Sequence, residues 1–154
     1  MKRNPIRLTT YGALTLAMML LIFFLSSQDG SESGGLSLWL MNTRFGRILL
    51  RILPPLTDEG ASLDIRKYAH LAEYMALAFF SAQFFREIWL EKLPLKAMIS
   101  SGLFVFLYAC LDEIHQTHVP GRSGQFSDVI IDMCGALIGI LFVFLISILR
   151  RERT

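Results

Sequence analysis

Four long apolar blocks separated by polar turns predict an all-α fold, a four-transmembrane-helix bundle with an amphipathic interfacial helix in its first outer loop. The blocks run over residues 8–25, 68–85, 97–111 and 129–149. A helix needs about 20 residues to cross a hydrocarbon core of ~30 Å, with a lower limit near 17. The first, second and fourth blocks meet that length, and polar flanks can extend the third into both interfaces. The 154-residue chain is 53% hydrophobic and only 18% charged, with a mean hydropathy of +0.49, a balance that few soluble domains of this size carry. No stretch reads as a separate soluble domain. Residues 1–154 therefore form one membrane domain with spans near 8–26, 67–85, 95–113 and 126–149 and an outer loop over 27–65.

The net charge of +2 points to no partner by itself. Basic residues lie mainly at the ends of spans, which argues against nucleic acid. Cys110 and Cys134 fall inside spans, where cysteine acts as a small apolar residue and no disulfide is expected.

Lys2, Arg3 and Arg7 precede the first span like the head of a signal peptide. Ser26, Ser27 and Gln28 after it offer no small-x-small cleavage pattern, so an uncleaved first helix with a cytoplasmic basic head is expected. Residues 29–35 are polar and glycine-rich and read as a flexible loop. Over 36–53, Arg44, Arg47 and Arg51 recur at helical spacing among leucines, Trp39 and Phe45. That pattern suits a helix lying in the membrane interface or one packed on the bundle, ended by Pro54 and Pro55.

In the second span Arg66, His70, Glu73 and Leu77 stand at i, i+4, i+7 and i+11 and share one helix face. Ala69, Ala72 and Ala76 lie near that face and suggest close packing. A charged loop over 86–96 follows, with Arg86, Lys92 and Lys96. In the third span Asp112 is in register with Tyr108, Val105 and Ser101, and Glu113 with Ala109, Phe106 and Gly102, so both carboxylates can face small or polar packing surfaces. In the fourth, Asp128, Asp132, Gly135 and Gly139 stand at i, i+4, i+7 and i+11; the two glycines form a GxxxG pair that lets another helix approach closely.

The densest polar stretch is 111–132. It holds Asp112, Glu113, His115, Gln116, His118, Arg122, Asp128 and Asp132, with Pro120, Gly121 and Gly124 around the arginine. Ionisable groups near hydrocarbon cost roughly 2.5–3.5 kcal/mol each on insertion scales, so such a cluster signals function. Four spans put both termini on one side, and the density of Lys and Arg in the short segments places them in the cytoplasm. Residues 26–28, 66–73, 112–122 and 128–132 then converge at the extracytoplasmic end.

Several chemistries suit these residue types. His70 and Glu73, with Asp112, Glu113, His115, Asp128 and Asp132, could ligate a divalent metal, and oxygen-rich ligands would favour Mg or Mn over Zn, although no standard ligand spacing is present. Arg66, Lys67 and Arg122 could instead neutralise the carboxylates in an ion-pair network. His70 or His115 beside a carboxylate could act as a general base, while no serine or cysteine elbow marks a nucleophile and His118 is expected in solvent. The Pro120-Gly121-Arg122-Ser123-Gly124 turn could present backbone N–H groups and a bidentate guanidinium to an anion such as a lipid phosphate, or be a plain turn.

Three patterns in order resemble the VanZ-like family of small bacterial membrane proteins: Ser26-Ser27-Gln28; Arg66-Lys67-x-x-His70-x-x-Glu73-Tyr74; and Asp112-Glu113-x-His115-Gln116-x-x-Val119-Pro120-Gly121-Arg122-x-Gly124 followed by Asp128-x-x-x-Asp132-x-x-Gly135. The resemblance implies a multi-pass protein of the bacterial plasma membrane, of the type linked to resistance to the glycopeptide teicoplanin; it implies no particular reaction. The expected function is to bind or modify a lipid-linked or cell-wall component, with a non-catalytic scaffold or a small lipid transporter or flippase as alternatives. The catalytic candidates are His70, Glu73, Asp112, Glu113, His115, Asp128 and Asp132. The substrate-binding candidates are Arg66, Lys67, Gln116, Arg122, Ser27 and Gln28. The expected partners are membrane lipids and a lipid-linked cell-wall precursor.

Reporter fusions after residue 90 and at the C-terminus should report cytoplasm, and one after Gly30 the exterior. A cytoplasmic signal at Gly30 would reverse the placement of the polar end.

Overall fold

A computed structural model of the chain describes residues 3–52, 61–90 and 94–151. The described residues form six helices and no strand: α1 (Pro5–Ser26), α2 (Gly30–Asn42), α3 (Arg44–Ile52), α4 (Ala61–Trp89), α5 (Leu95–Gln116) and α6 (Phe126–Arg151). Asn4 caps α1 by accepting the Arg7 N–H, with Pro5 at the first helical position, where its missing N–H costs nothing. The expected boundaries shift outward: the span near 67–85 is part of the 29-residue α4, which absorbs Arg86, and the span near 95–113 continues to Gln116. Pro54 and Pro55, Lys92, Lys2 and Arg153 lie outside the described residues.

Two expectations for the outer loop are corrected. Residues 30–35 open α2 rather than forming a flexible loop. The Asp29 carboxylate accepts the N–H and the hydroxyl of Ser31, at 2.9 and 2.6 Å, and so caps the helix. The single helix expected over 36–53 breaks at Thr43, whose hydroxyl accepts the Gly46 N–H at 3.0 Å and starts α3. Gly46 lies so close to the Leu40 carbonyl that a Cβ there would overlap it, so the corner between α2 and α3 requires glycine. Arg44, Arg47 and Arg51 all lie on α3, and both α2 and α3 pack on α4.

The bundle is apolar outside, and inside it holds polar groups beside an apolar core that includes Ile22, Leu77, Val105 and Ile140. Leu16, Leu20 and Phe24 of α1 are exposed, as are Leu103, Leu107 and Leu111 of α5 and Leu137, Leu141, Leu145 and Leu149 of α6. Thr15, Ser26, Ser81, Ser101, Asp112, Glu113, Gln116 and Asp132 are buried. Contiguous exposed apolar surface of this extent marks a lipid-facing exterior. By length and apolar composition α1, α5 and residues Phe126–Leu149 of α6 can each cross a membrane. The fourth expected span, within α4, is not among them.

α4 is the axis on which the other helices pack. It contacts α1, α5 and α6 as well as α2 and α3. Among its described large apolar residues only Trp89 is strongly exposed. α4 therefore needs little lipid-facing hydrophobicity, which accounts for its lower apolar content. Small buried residues line its inner face: Ala78, Ser81 and Ala82. The Ser81 hydroxyl lies 2.6 Å from that of Ser101 on α5. Ala69 and Ala72, expected on the packed face, are exposed instead.

The closest helix pair is α4 with α6. A Cβ at Gly135 would overlap the Leu71 carbonyl, and one at Gly139 the Met75 carbonyl, so the GxxxG face packs backbone against backbone as expected. Contacts 67–128, 70–132, 71–135 and 75–139 rise together along both chains, so the two helices run parallel. α1 runs antiparallel to α4, with the Asn4 N–H donating to Glu87 and Gly12 against Phe84.

Gly135→Leu should destabilise the protein by at least the ~1–3 kcal/mol typical of overpacking, since rigid backbone receives the new side chain. Ile138→Leu, at an outward position that is 41% exposed, should be tolerated. Thermal unfolding in detergent measures both, and equal stability of the Gly135→Leu protein would mean that this face is not packed.

Candidate functional site

All the buried ionisable side chains of α5 and α6 lie at one end of the bundle, where α1 and α5 finish and α6 begins. Ser26, the last residue of α1, follows the buried positions Thr15 and Ile22 at helical spacing and so points inward. Its hydroxyl donates to Asp112 Oδ2 at 2.9 Å. Gln116, one turn beyond Asp112 on α5, donates to the same oxygen at 3.0 Å. All three residues are buried, so two donors hold one desolvated carboxylate.

The turn between α5 and α6 closes over this latch. Arg122 Nη1 donates to the carbonyls of Leu25 at 3.2 Å and Ser26 at 3.0 Å. Those carbonyls lie at the end of α1, where the Leu25 carbonyl also accepts a long bond from the Gln28 N–H at 3.4 Å, and a cation suits the negative end of a helix. The Gly30 N–H, at the start of α2, donates to the Pro120 carbonyl at 3.0 Å. Gly121 adopts φ +72°, and a Cβ on Gly30 would overlap its carbonyl, so both glycines are needed where the two turns cross. The Gln125 N–H donates to Glu113 Oε2 at 2.8 Å, which fixes the turn just before α6.

Two ion pairs join α4 to α6. Lys67 Nζ lies 2.9 Å from Asp128 Oδ1. His70 Nδ1 lies 3.4 Å from Asp132 Oδ1, close enough for an ion pair but long for a hydrogen bond. Asp132 is fully buried, and neither of its oxygens has a hydrogen-bond partner among the described residues. Glu113 Oε1, His115 Nδ1 and Arg122 Nε are buried in the same condition. Each such group costs about 1–3 kcal/mol when left unpaired, so the site stores unmet bonding capacity of both signs.

His70 stands between two hollows. One, of about 80 Å³, is lined by Gln28, Ser37, Arg66, His70, Glu73 and Arg122, with apolar walls from residues such as Leu25 and Leu40. It has room for several waters or one compact polar group. The other, of about 10 Å³ between α4, α5 and α6, is bounded by Arg66, Lys67, His70, Gln116, Asp128 and Asp132 and holds about one water. Burial, and then the positive charge of Arg66, push the Arg122 guanidinium below its ordinary pKa, against the pull of Asp112, Glu113 and Asp128.

The predicted residues thus divide into groups. Gln28, Arg66, His70, Glu73 and Arg122 meet at the larger hollow. Asp112 and Gln116 form the latch with Ser26, and Lys67, Asp128 and Asp132 form the seam between α4 and α6. Glu113 holds the turn. His115 stacks on Phe23 with ring centroids 4.8 Å apart and lines neither hollow. Ser27 does not point inward: it is exposed and its hydroxyl donates back to the Phe23 carbonyl at 2.6 Å. Ser26 was the member of that motif to choose, and its signal was the spacing from Ile22. Tyr74, fully buried against His70 and Tyr108, and Tyr108, which donates to the Met19 carbonyl at 2.5 Å, also build the site. His118 is exposed, as expected. Among the described residues no three His, Cys, Asp or Glu side chains converge in a metal-binding group, so the carboxylates named for that role are divided among separate contacts.

The VanZ/LLP1 family model matches residues 11–147, most of the chain and every element of this site. No curated protein matches, and no solved structure does.

Ser26→Ala should cost ~1–3 kcal/mol by removing a donor from a buried carboxylate. Ser27→Ala should fall within ~0.5 kcal/mol of the parent. Unfolding of the two variants in detergent compares them, and equal losses would mean that the Ser26–Asp112 contact contributes nothing specific.

Proposed function

The chain belongs to the VanZ/LLP1 family, and on that premise we propose that it is an integral protein of the bacterial cell envelope whose polar end binds or modifies a lipid-linked or cell-wall component, lowering susceptibility to glycopeptides such as teicoplanin. In this reading α4 is the fourth crossing. Enclosed by α1, α5 and α6, it can carry Arg66, His70 and Glu73 without presenting them to lipid. Both termini lie in the cytoplasm and the polar end faces outward.

The observation that carries the proposal is the hollow itself. Six polar side chains from α1's exit, α2, α4 and the turn before α6 border one space. Structure alone would be served by closing it, because a void loses packing contacts and leaves polar groups unpaired. A site that binds a ligand must keep it.

A non-catalytic scaffold is the second reading, and the pairing of Asp112, Asp128 and Asp132 favours it. Breaking a buried pair by removing one partner typically costs ~3–5 kcal/mol, so a purely structural cluster should lose abundance and protection together. Under the ligand reading, Glu73→Gln and Glu113→Gln should accumulate in membranes like the parent and lose most of the protection against teicoplanin. Both changes keep size and hydrogen bonding while removing charge and proton-transfer capacity. Membrane abundance and susceptibility, measured together, decide the matter: if every loss of protection tracks a loss of abundance, the cluster is architectural. In a host where the parent gives no protection, profiles of lipids and peptidoglycan precursors with and without the protein replace susceptibility as the readout.

A further inference from the structure

The larger hollow is specific in its chemistry. Two arginines border a space of about 80 Å³. Neither has a carboxylate within ion-pairing distance among the described residues. Arg122 spends Nη1 on the α1 carbonyls and keeps a buried Nε without a partner. Burial of a guanidinium is costly, and the like charge of Arg66 facing the same space adds to the cost; the lowered Arg122 pKa reflects both. Nearby cations of this kind are stabilised by an anion placed between them.

Glu73 on the same wall restricts which anion. A carboxylate repels an oxyanion unless that oxyanion offers it a proton. Carboxylic acids and sulfate are ionised near neutral pH and offer none. A phosphate monoester, with a second pKa near 6, still carries a P–OH in part of its population, whereas a phosphodiester has no hydroxyl to give. Size acts in the same direction, since a space of about 80 Å³ suits a compact terminal group better than a phosphate substituted on two sides. Gln28 adds an amide that can donate to a remaining oxygen.

Taking the polar end as a ligand site, we propose that the hollow between the end of α1, α2, α4 and the turn before α6 binds a singly protonated phosphate monoester, with Arg66 and Arg122 on its anionic oxygens and the Glu73 carboxylate accepting its P–OH. The group is either the terminal phosphate of a lipid or free phosphate; the chemistry is shared. Leu25 and Leu40 beside the polar groups give the site an apolar border of the kind a lipid-borne phosphate meets at the membrane interface. Arg66 binds and neutralises. Arg122 also ties α1 to the turn, so occupancy couples the site to the packing of α1.

The test uses the full chain in phosphatidylcholine nanodiscs. Phosphatidic acid supplies a lipid phosphate monoester, phosphatidylglycerol at equal mole fraction a diester, and inorganic phosphate is added to the phosphatidylcholine discs alone. Binding is read by phosphorus NMR and by the shift in melting temperature. Phosphatidic acid should bind more tightly than phosphatidylglycerol by on the order of tenfold or more, the least expected of a site that hydrogen-bonds a hydroxyl its competitor lacks. Arg66→Gln should weaken phosphatidic acid by a similar factor while the ligand-free protein melts as the parent does. Glu73→Gln, which turns an acceptor into a donor, should relax the preference for the monoester, so the specificity can be judged even if Arg66→Gln folds poorly. Binding of inorganic phosphate with the same sensitivity to both variants means that the phosphate group suffices; binding of phosphatidic acid alone means that the lipid is required. Either result supports the site. Equal affinity for the two lipids, indifference to both variants, or no binding in any arm overturns it. Monoester binding by the parent protein, found while Glu73→Gln and Glu113→Gln keep full protection, would leave this site standing and remove the envelope role proposed for it.

Discussion

The backbone approach of α6 to α4 at Gly135 and Gly139 is the contact on which the rest of the structure depends. Two glycines one turn apart let the helices touch at Leu71 and Met75 without side chains between them. That contact fixes the relative height of the two helices. It places Asp128 opposite Lys67 and Asp132 opposite His70, two turns and one turn before the first glycine. A larger residue at either glycine would push the helices apart and lengthen both pairs. Packing and electrostatics are thus one constraint along this seam.

The other half of the site depends on how helices end. α1 and α5 finish at the same level, and the carbonyls that end α1 must find donors. Arg122 supplies them, while Ser26 and Gln116 supply donors to Asp112. The turn that carries Arg122 is held in turn by Gly30 and Glu113. Residues far apart in sequence become neighbours because each satisfies a group that another element leaves unpaired. The hollow bordered by Arg66, Glu73 and Arg122 is the place where that mutual satisfaction is incomplete.

Where the polar residues fall along a single helix was readable. Asp128, Asp132, Gly135 and Gly139 share a face in any α-helix, and the tertiary partner only had to be α4 for the reading to hold. The burial of Asp112 and Glu113 follows from their register with Ser101, Val105 and Ala109 in the same way. The misreadings have physical causes. Residues 30–35 look flexible by glycine content, but Asp29 caps them and packing on α4 holds them in a helix. The acid three positions after Asp29, Glu32, was the local sign of a helix start. Ala69 and Ala72 are small enough to pack, yet the close approach came from the backbone at Leu71 and Met75 because the glycines of α6 made it possible there.

By itself the sequence determined the class of the molecule, its long apolar helices, the clustering of ionisable groups and the family, because these follow from hydrophobic length, helical period and ordered motifs. Tertiary structure alone decided that α4 is the enclosed axis, that Ser26 and not Ser27 faces Asp112, and that the candidate residues separate into latch, seam and hollow. The reason is that a helical period fixes which residues share a face but not what that face meets. Which carboxylates are consumed by neighbours and which cations are left bordering open space depends on how the helices are arranged around one another.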